Sequence, residues 1–174
     1  MAVLEIVEVP DPRLRVVSTA VESVDDAIRQ LVTDMTDTMY AAKGIGLAAI
    51  QVGVASRVVV IDLQTEEDAD GKPIRAPHAY INPEILSVSD ELSSYSEGCL
   101  SIPEQYADVE RPARCRVRWL DTDGLAHEEE LDGLLSTCMQ HEIDHCDGIL
   151  FIDHVSRLKR EMLLRKLAKQ RKAA

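Results

Sequence analysis

The stretch Gln140-His141-Glu142-Ile143-Asp144-His145-Cys146-Asp147-Gly148 contains the pattern H-E-x-x-H. On a helix, residues four apart lie on one face about one turn from each other, so His141 and His145 can reach a single metal ion. Glu142 sits one step round the helix, where a carboxylate can take a proton from water on that ion. Those residue types at that spacing describe metal-assisted hydrolysis. Such a centre needs a third protein ligand. A histidine continuing the pattern would fall at Phe151, which closes that route. Glu161 lies among Lys159, Arg160, Arg165 and Lys166, where ion pairing within a helix is its expected role. His154 falls beyond the end of the motif helix. Upstream, Glu97-Gly98-Cys99-Leu100-Ser101 offers Cys99, whose thiolate is a strong metal ligand. Two histidines and one cysteine leave a fourth tetrahedral position open, as a catalytic site requires.

These residues need elements to hold them. Leu134, Leu135, Cys138 and Met139 make the helix expected from about Leu134 through His145 largely apolar, hence buried, and Gly148 ends it. Buried histidines need partners, which a metal supplies. A first helix is expected from Asp25 to Ala42, with Ile28, Leu31, Val32, Met35 and Met39 on one face, Asp25 or Ser23 as its cap and Gly44 as its stop. Its methionines read as core filling. Gly44-Ile45-Gly46-Leu47-Ala48-Ala49-Ile50-Gln51 follows, a small-residue run that lets other groups approach the backbone and that ends in a polar side chain. Strands are expected at 57–63, 80–88, 92–97, 114–120 and 125–131, the last two forming a hairpin about Asp121-Thr122-Asp123-Gly124. Cys115, Val117 and Trp119 then face inward, and Arg114, Arg116 and Arg118 form a solvated face. Residues 64–77 read as an exposed and dispensable loop, Met1–Val24 as an extended arm, and Ser156 onward as a third helix. The class expected is α+β, with mixed or antiparallel sheets around a central H-E-x-x-H helix, an N-terminal helix and a C-terminal helix.

Composition narrows the function. A chain of 174 residues that is 45% hydrophobic suits one globular domain, 1–174. No apolar run is long enough to span a membrane, and Met1–Pro10 lacks the basic start of a signal peptide, so a cytoplasmic protein is expected. Four cysteines in such a chain read as thiols and not as a disulfide framework. The net charge of −12 argues against DNA or general nucleic-acid binding. Residues 156–174 nevertheless carry +7, leaving −19 on the rest. That basic helix and tail is either a solvated closing face or a contact for ribosomal RNA.

Three motifs together, 44–51, 97–101 and 140–145, resemble the bacterial peptide deformylases in identity and order, and Pro10-Asp11-Pro12 and the basic C-terminal helix fit as well. The resemblance implies a hydrolase that removes formate from N-formylmethionyl nascent peptides. It implies that Cys99, His141 and His145 hold Fe²⁺, with Zn²⁺, Ni²⁺ or Co²⁺ as substitutes. It makes Glu142 the general base and acid, with the Gln51 side chain and the Leu100 N–H steadying the oxyanion. Backbone at Ile45 and Gly46 would bind the peptide, and Ile45, Leu134 and Cys138 would form a methionine pocket, although core packing explains Cys138 equally. Glu97 is expected to pair with Arg111 and brace the Cys99 loop. Tyr106 stands where some family members carry a basic residue, which leaves contacts beyond the methionine open. A general metallopeptidase and a non-catalytic ribosome-associated module are the competing readings.

Overall fold

The β-branched and alternating runs pair into two sheets, antiparallel throughout, with three helices laid against them. The computed structural model describes residues 2–173. Its helices are α1 (Asp26–Ala41), α2 (Gly133–Cys146) and α3 (Arg157–Ala173). Its strands are β1 (Gly46–Ala48), β2 (Val58–Ile61), β3 (His78–Val88), β4 (Leu92–Cys99), β5 (Ile102–Pro112), β6 (Cys115–Leu120) and β7 (Ala126–Leu131). Five strands run in the order β1-β2-β3-β6-β7, and β4 and β5 form the second sheet. The α+β class read from the sequence is the class adopted.

The Asp25 carboxylate caps α1 by accepting from the Ile28 N–H at 3.0 Å, satisfying one of the free amides of the first turn. Met35 and Met39 are buried against Leu47, Val58 and Val60 of β1 and β2. Ten residues of α2 are buried, against three in α1 and two in α3. Met139, Ile143 and Cys146 of α2 pack on Val59, Ile61, Tyr80 and Val117 of the large sheet. Gly148 turns the chain out of α2 with φ +74, and a Cβ there would lie 2.6 Å from the Arg15 carbonyl oxygen. Any other residue would meet both backbone strain and that carbonyl.

The N-terminal arm is extended apart from one 3-10 turn at Pro12–Arg15, and it is stitched to two of the motifs. The Val7 N–H donates to the Gln51 carbonyl at 2.7 Å and the Val9 N–H to the Ser101 carbonyl at 2.9 Å. Val7, Val9 and Leu14 join Phe151, Ile152, Leu163 and Leu167 in a core cluster between the arm, β5 and α3.

Two features depart from the sequence reading. Strand β5 was not expected, because its inward row at 105, 107, 109 and 111 includes Gln105 and Arg111, which are buried. Polar side chains at inward positions erase the alternation that marks a half-buried strand. The loop 64–77 is also less free than its composition suggests. The Asp62 carboxylate accepts from the Tyr40 hydroxyl, from the Gln64 N–H at 3.0 Å and from the Ala76 N–H at 2.9 Å. Arg75 lies 4.3 Å over the Tyr40 ring, so both ends of the loop are clipped to the body.

On β6 the expected pattern holds. Cys115 is buried, while Arg114, Arg116 and Arg118 are exposed and pair with Glu91, Glu128 and Glu84. Such surface pairs contribute little to stability.

Candidate metal centre

Strand β4 ends at Cys99 directly over α2, and the helical spacing of His141 and His145 turns both imidazoles toward it. The His145 Nε2 lies 3.3 Å from the Cys99 Sγ and 3.2 Å from the His141 Nε2. One ligand atom from each of the three lies within 4.8 Å of the others. Glu161 and His154 are elsewhere: Glu161 pairs with Arg157 on the exposed side of α3, and His154 faces Asp144.

A charged network behind the triad fixes its orientation. The His141 Nδ1 is 2.9 Å from Glu97 Oε1, so Nδ1 carries a proton and donates it, and Nε2 faces the triad. Glu97 also takes a bidentate bond from Arg111, at 2.7 and 2.9 Å. Burial pushes the Glu97 carboxyl up, but the bonds from His141 and Arg111 outweigh it and hold the group below the ordinary carboxylate range. Burial, reinforced by the nearby His141 and Arg111, holds His145 well below the ordinary histidine range. Burial pushes His141 down, but hydrogen bonds with Cys99 and Glu97 outweigh it and hold the ring well above the ordinary histidine range, so a proton is held where two ring nitrogens and a sulfur face one another. A metal ion can take that proton's place, and the donor set of two nitrogens and one sulfur fits a divalent transition metal with an open position.

Glu142 lies beside this triad, buried, with its Oε1 unpartnered among the described residues. Burial pushes its carboxyl up to about 7. Its other oxygen sets the identity of residue 46, since a Cβ on Gly46 would lie 2.6 Å from Glu142 Oε2. Gln51 is equally enclosed. Its Oε1 accepts from the Ala48 N–H at 3.0 Å, which turns its amide nitrogen toward Ser101 Oγ at 3.1 Å and Cys99 Sγ at 3.5 Å. Leu100 follows Cys99 and lines the same cleft.

That cleft has a volume of about 430 Å³ and is bordered by Ile45, Gly46, Gln51, Cys138, Glu142 and Tyr106, among others. Burial pushes the Cys138 thiol up to about 12, so it is a neutral part of the wall. Leu134 is partly buried one turn before Cys138 and packs against the same core cluster as Ile45 and Leu135. Thr137, one turn before His141, also lines the cleft. A larger hollow of about 750 Å³ lies between the 64–77 loop, β3 and β7. Two of the acids that line it are engaged, Asp62 by Tyr40 and Asp121 by His127, and the metal-ligating cluster found among the described residues lies in the smaller cleft, so size does not mark the chemistry here. Sequence reasoning missed Asp144, which accepts from Arg111 at 2.8 Å. Its position inside the H-E-x-x-H motif was the only signal.

Comparison with known proteins converges on one family. The polypeptide deformylase family model matches residues 3–161. A peptide deformylase of Rhizorhabdus wittichii is 66% identical over 173 residues, which is 99% of this chain and 98% of the relative. One from Zymomonas mobilis is 59% identical over 172 residues, 99% and 97% of the two chains. The crystal structure of a peptide deformylase from Legionella pneumophila aligns with a TM-score of 0.89 at 42% identity, covering 99% of this chain and 97% of that one. That of the Ehrlichia chaffeensis enzyme in complex with actinonin aligns at 0.87 and 42% identity, covering 98% of each. With sequence and fold matched along nearly its whole length, this chain belongs to the polypeptide deformylase family.

Proposed function

We propose that this chain removes the formyl group from N-formylmethionine at the start of newly made polypeptides, as a metal-dependent hydrolase that releases formate. The observation that carries the reading is the convergence of Cys99, His141 and His145 beside a buried carboxylate, Glu142, that has a free oxygen. The metal ligands are Cys99, His141 and His145, and the ion is Fe²⁺, with Zn²⁺, Ni²⁺ or Co²⁺ able to replace it in a sulfur and nitrogen donor set. When bound, such an ion polarises the formyl oxygen and acidifies a water molecule.

The remaining work falls to the chain. Strand β1 is an edge of the large sheet, so a substrate peptide can lie along Ile45 and Gly46 as an added strand. Ile45 and Cys138 border the methionine side chain. Glu142 takes the proton of the attacking water as its oxygen bonds to the formyl carbon. The Gln51 amide and the Leu100 N–H stabilise the charge that develops on the formyl oxygen. Glu142 then gives the proton to the amine as the C–N bond breaks, leaving formate and a free N-terminus. A carboxyl poised near neutrality suits both transfers. Glu97 and Arg111 keep His141 oriented throughout.

The whole of 1–174 acts as one catalytic domain in the cytoplasm. The basic face of 156–174 contacts the ribosome, where formylated chains emerge. Leu163 and Leu167 are buried, while Arg165, Lys166, Lys169 and Lys172 are exposed on the same helix. Neutralising those four should abolish salt-sensitive co-sedimentation with ribosomes and leave hydrolysis of a free peptide intact; unchanged co-sedimentation would refute the contact. No helix of the described residues is long and apolar enough to cross a membrane.

The reaction itself is tested with protein purified anaerobically and supplied with ferrous iron or nickel. Formate release from a formyl-Met tripeptide should depend on Glu142, with a metal-retaining Glu142→Ala variant as control. A metal-loaded protein that releases no formate would overturn the reading.

A further inference from the structure

His154 is a titratable side chain for which the proposed reaction has no use, yet the fold holds it in a defined place. It ends the 3-10 turn Phe151–His154 that follows α2. Phe151 and Ile152 anchor that turn in the core. Asp153 anchors its other side, accepting from the Leu150 N–H at 3.0 Å and pairing with Arg15 and Arg160. The backbone of His154 is therefore fixed, and its Nε2 lies 2.8 Å from Asp144 Oδ2.

The same oxygen of Asp144 accepts from Arg111 Nη1 at 2.8 Å. Arg111 in turn grips Glu97, and Glu97 faces His141 Nδ1. Residues on α2 are spaced about 100° apart around its axis, so Glu142 and Asp144 project on opposite flanks of His141. One flank presents a free carboxylate to the cleft; the other presents a carboxylate that two donors neutralise. The links from Asp144 to His141 are buried or nearly so, and His154, 35% exposed, is the solvent end of the chain.

We propose that His154 is a positioning residue for the metal centre, holding Asp144 so that Arg111 keeps Glu97 against His141. The His154 Nε2 donates to Asp144 Oδ2 and leaves the Arg111–Asp144 pair undisturbed. Without that donor Asp144 can turn outward, and Arg111 loses the acceptor that fixes its Nη1. The Glu97 carboxylate then no longer holds the His141 ring in one orientation, and outer partners of a metal-bound histidine influence retention by about 10–100-fold when removed. A surface pair with no such coupling would contribute almost nothing.

This inference rests on the metal-centre reading above, and the test separates the two. Nickel-loaded protein is challenged with excess EDTA and metal release is followed, alongside KM, kcat and the unfolding midpoint of the metal-free protein. His154→Ala and His154→Phe, which keeps the ring without a donor, should both release metal about tenfold faster, with KM and the metal-free midpoint unchanged. His154→Gln, whose amide nitrogen can replace Nε2, should behave as the parent. Release at the parental rate from the Ala and Phe variants, or equally fast release from all three variants, would overturn the role of His154 alone. Parent protein that holds no nickel, or a Cys99→Ser variant that holds it as firmly as the parent, would overturn the metal centre and this role with it.

Discussion

Replacing Gly46 by alanine should separate stability from activity. The added Cβ would lie 2.6 Å from Glu142 Oε2 and 3.2 and 3.3 Å from its Cδ and Cγ, whereas ordinary contact begins at 3.4 Å. Either β1 or the carboxylate must therefore give by about 0.8 Å. Strand β1 is held in register by β2, with Gly46 opposite Ile61 and Leu47 fully buried opposite Val60. The side chain is the softer partner, and Glu142 leans away at a strain of about 1 kcal/mol. Loss of unfolded-state freedom on replacing glycine offsets about 0.4–1 kcal/mol of that, so net stability should barely change. Activity should not survive as well, because a displacement near 1 Å in a reacting group lowers the rate about 100-fold. Formate release and denaturant unfolding measured on one metal-loaded preparation, with metal content quantified, test this. Gly46→Ala with kcat within threefold of the parent would refute the reasoning, as would a large stability loss, since that would mean the strand and not the carboxylate moved.

Further expectations concern other parts of the molecule. Gln51→Ala should lower kcat by about 10²–10³-fold with little change in KM, as removal of one oxyanion donor does; a change in KM alone would show that Gln51 only binds substrate. Asp153→Asn should cost about 1–2 kcal/mol at pH 7. Burial pushes the Asp153 carboxyl up, but the bonds from Arg15 and the Leu150 N–H outweigh it and lower its pKa. The folded chain thus binds that proton less tightly than the unfolded one. Its stabilisation is complete above the unfolded value of about 3.9 and fades as pH falls through the folded value, so the gap between parent and variant should close in acid. Unfolding midpoints that differ equally at pH 7 and pH 3 would contradict this. Tyr40→Phe should cost about 1 kcal/mol and make 64–77 more sensitive to limited proteolysis, because Asp62 loses one of three donors to the loop clip; unchanged cleavage would mean the backbone bonds suffice.

The sequence by itself determined the elements whose signals are local. Period and capping marked α1, an apolar run stopped by Gly148 marked α2, strict alternation marked β6, and the four-residue spacing of His141 and His145 placed two imidazoles on one helix face. The H-E-x-x-H motif and Cys99 could be named because residue type and spacing carry their chemistry directly. Strand β5 was invisible for the opposite reason: Arg111 and Gln105 occupy inward positions, so its pattern makes sense only once their partners, Glu97, Asp144 and Gln170, are known. The free oxygen of Glu142, the closeness of Gly46 to that carboxylate and the line from His154 to His141 were decided only by the tertiary structure. Each depends on side chains distant in the chain meeting within hydrogen-bond or contact distance, and no local propensity encodes such meetings.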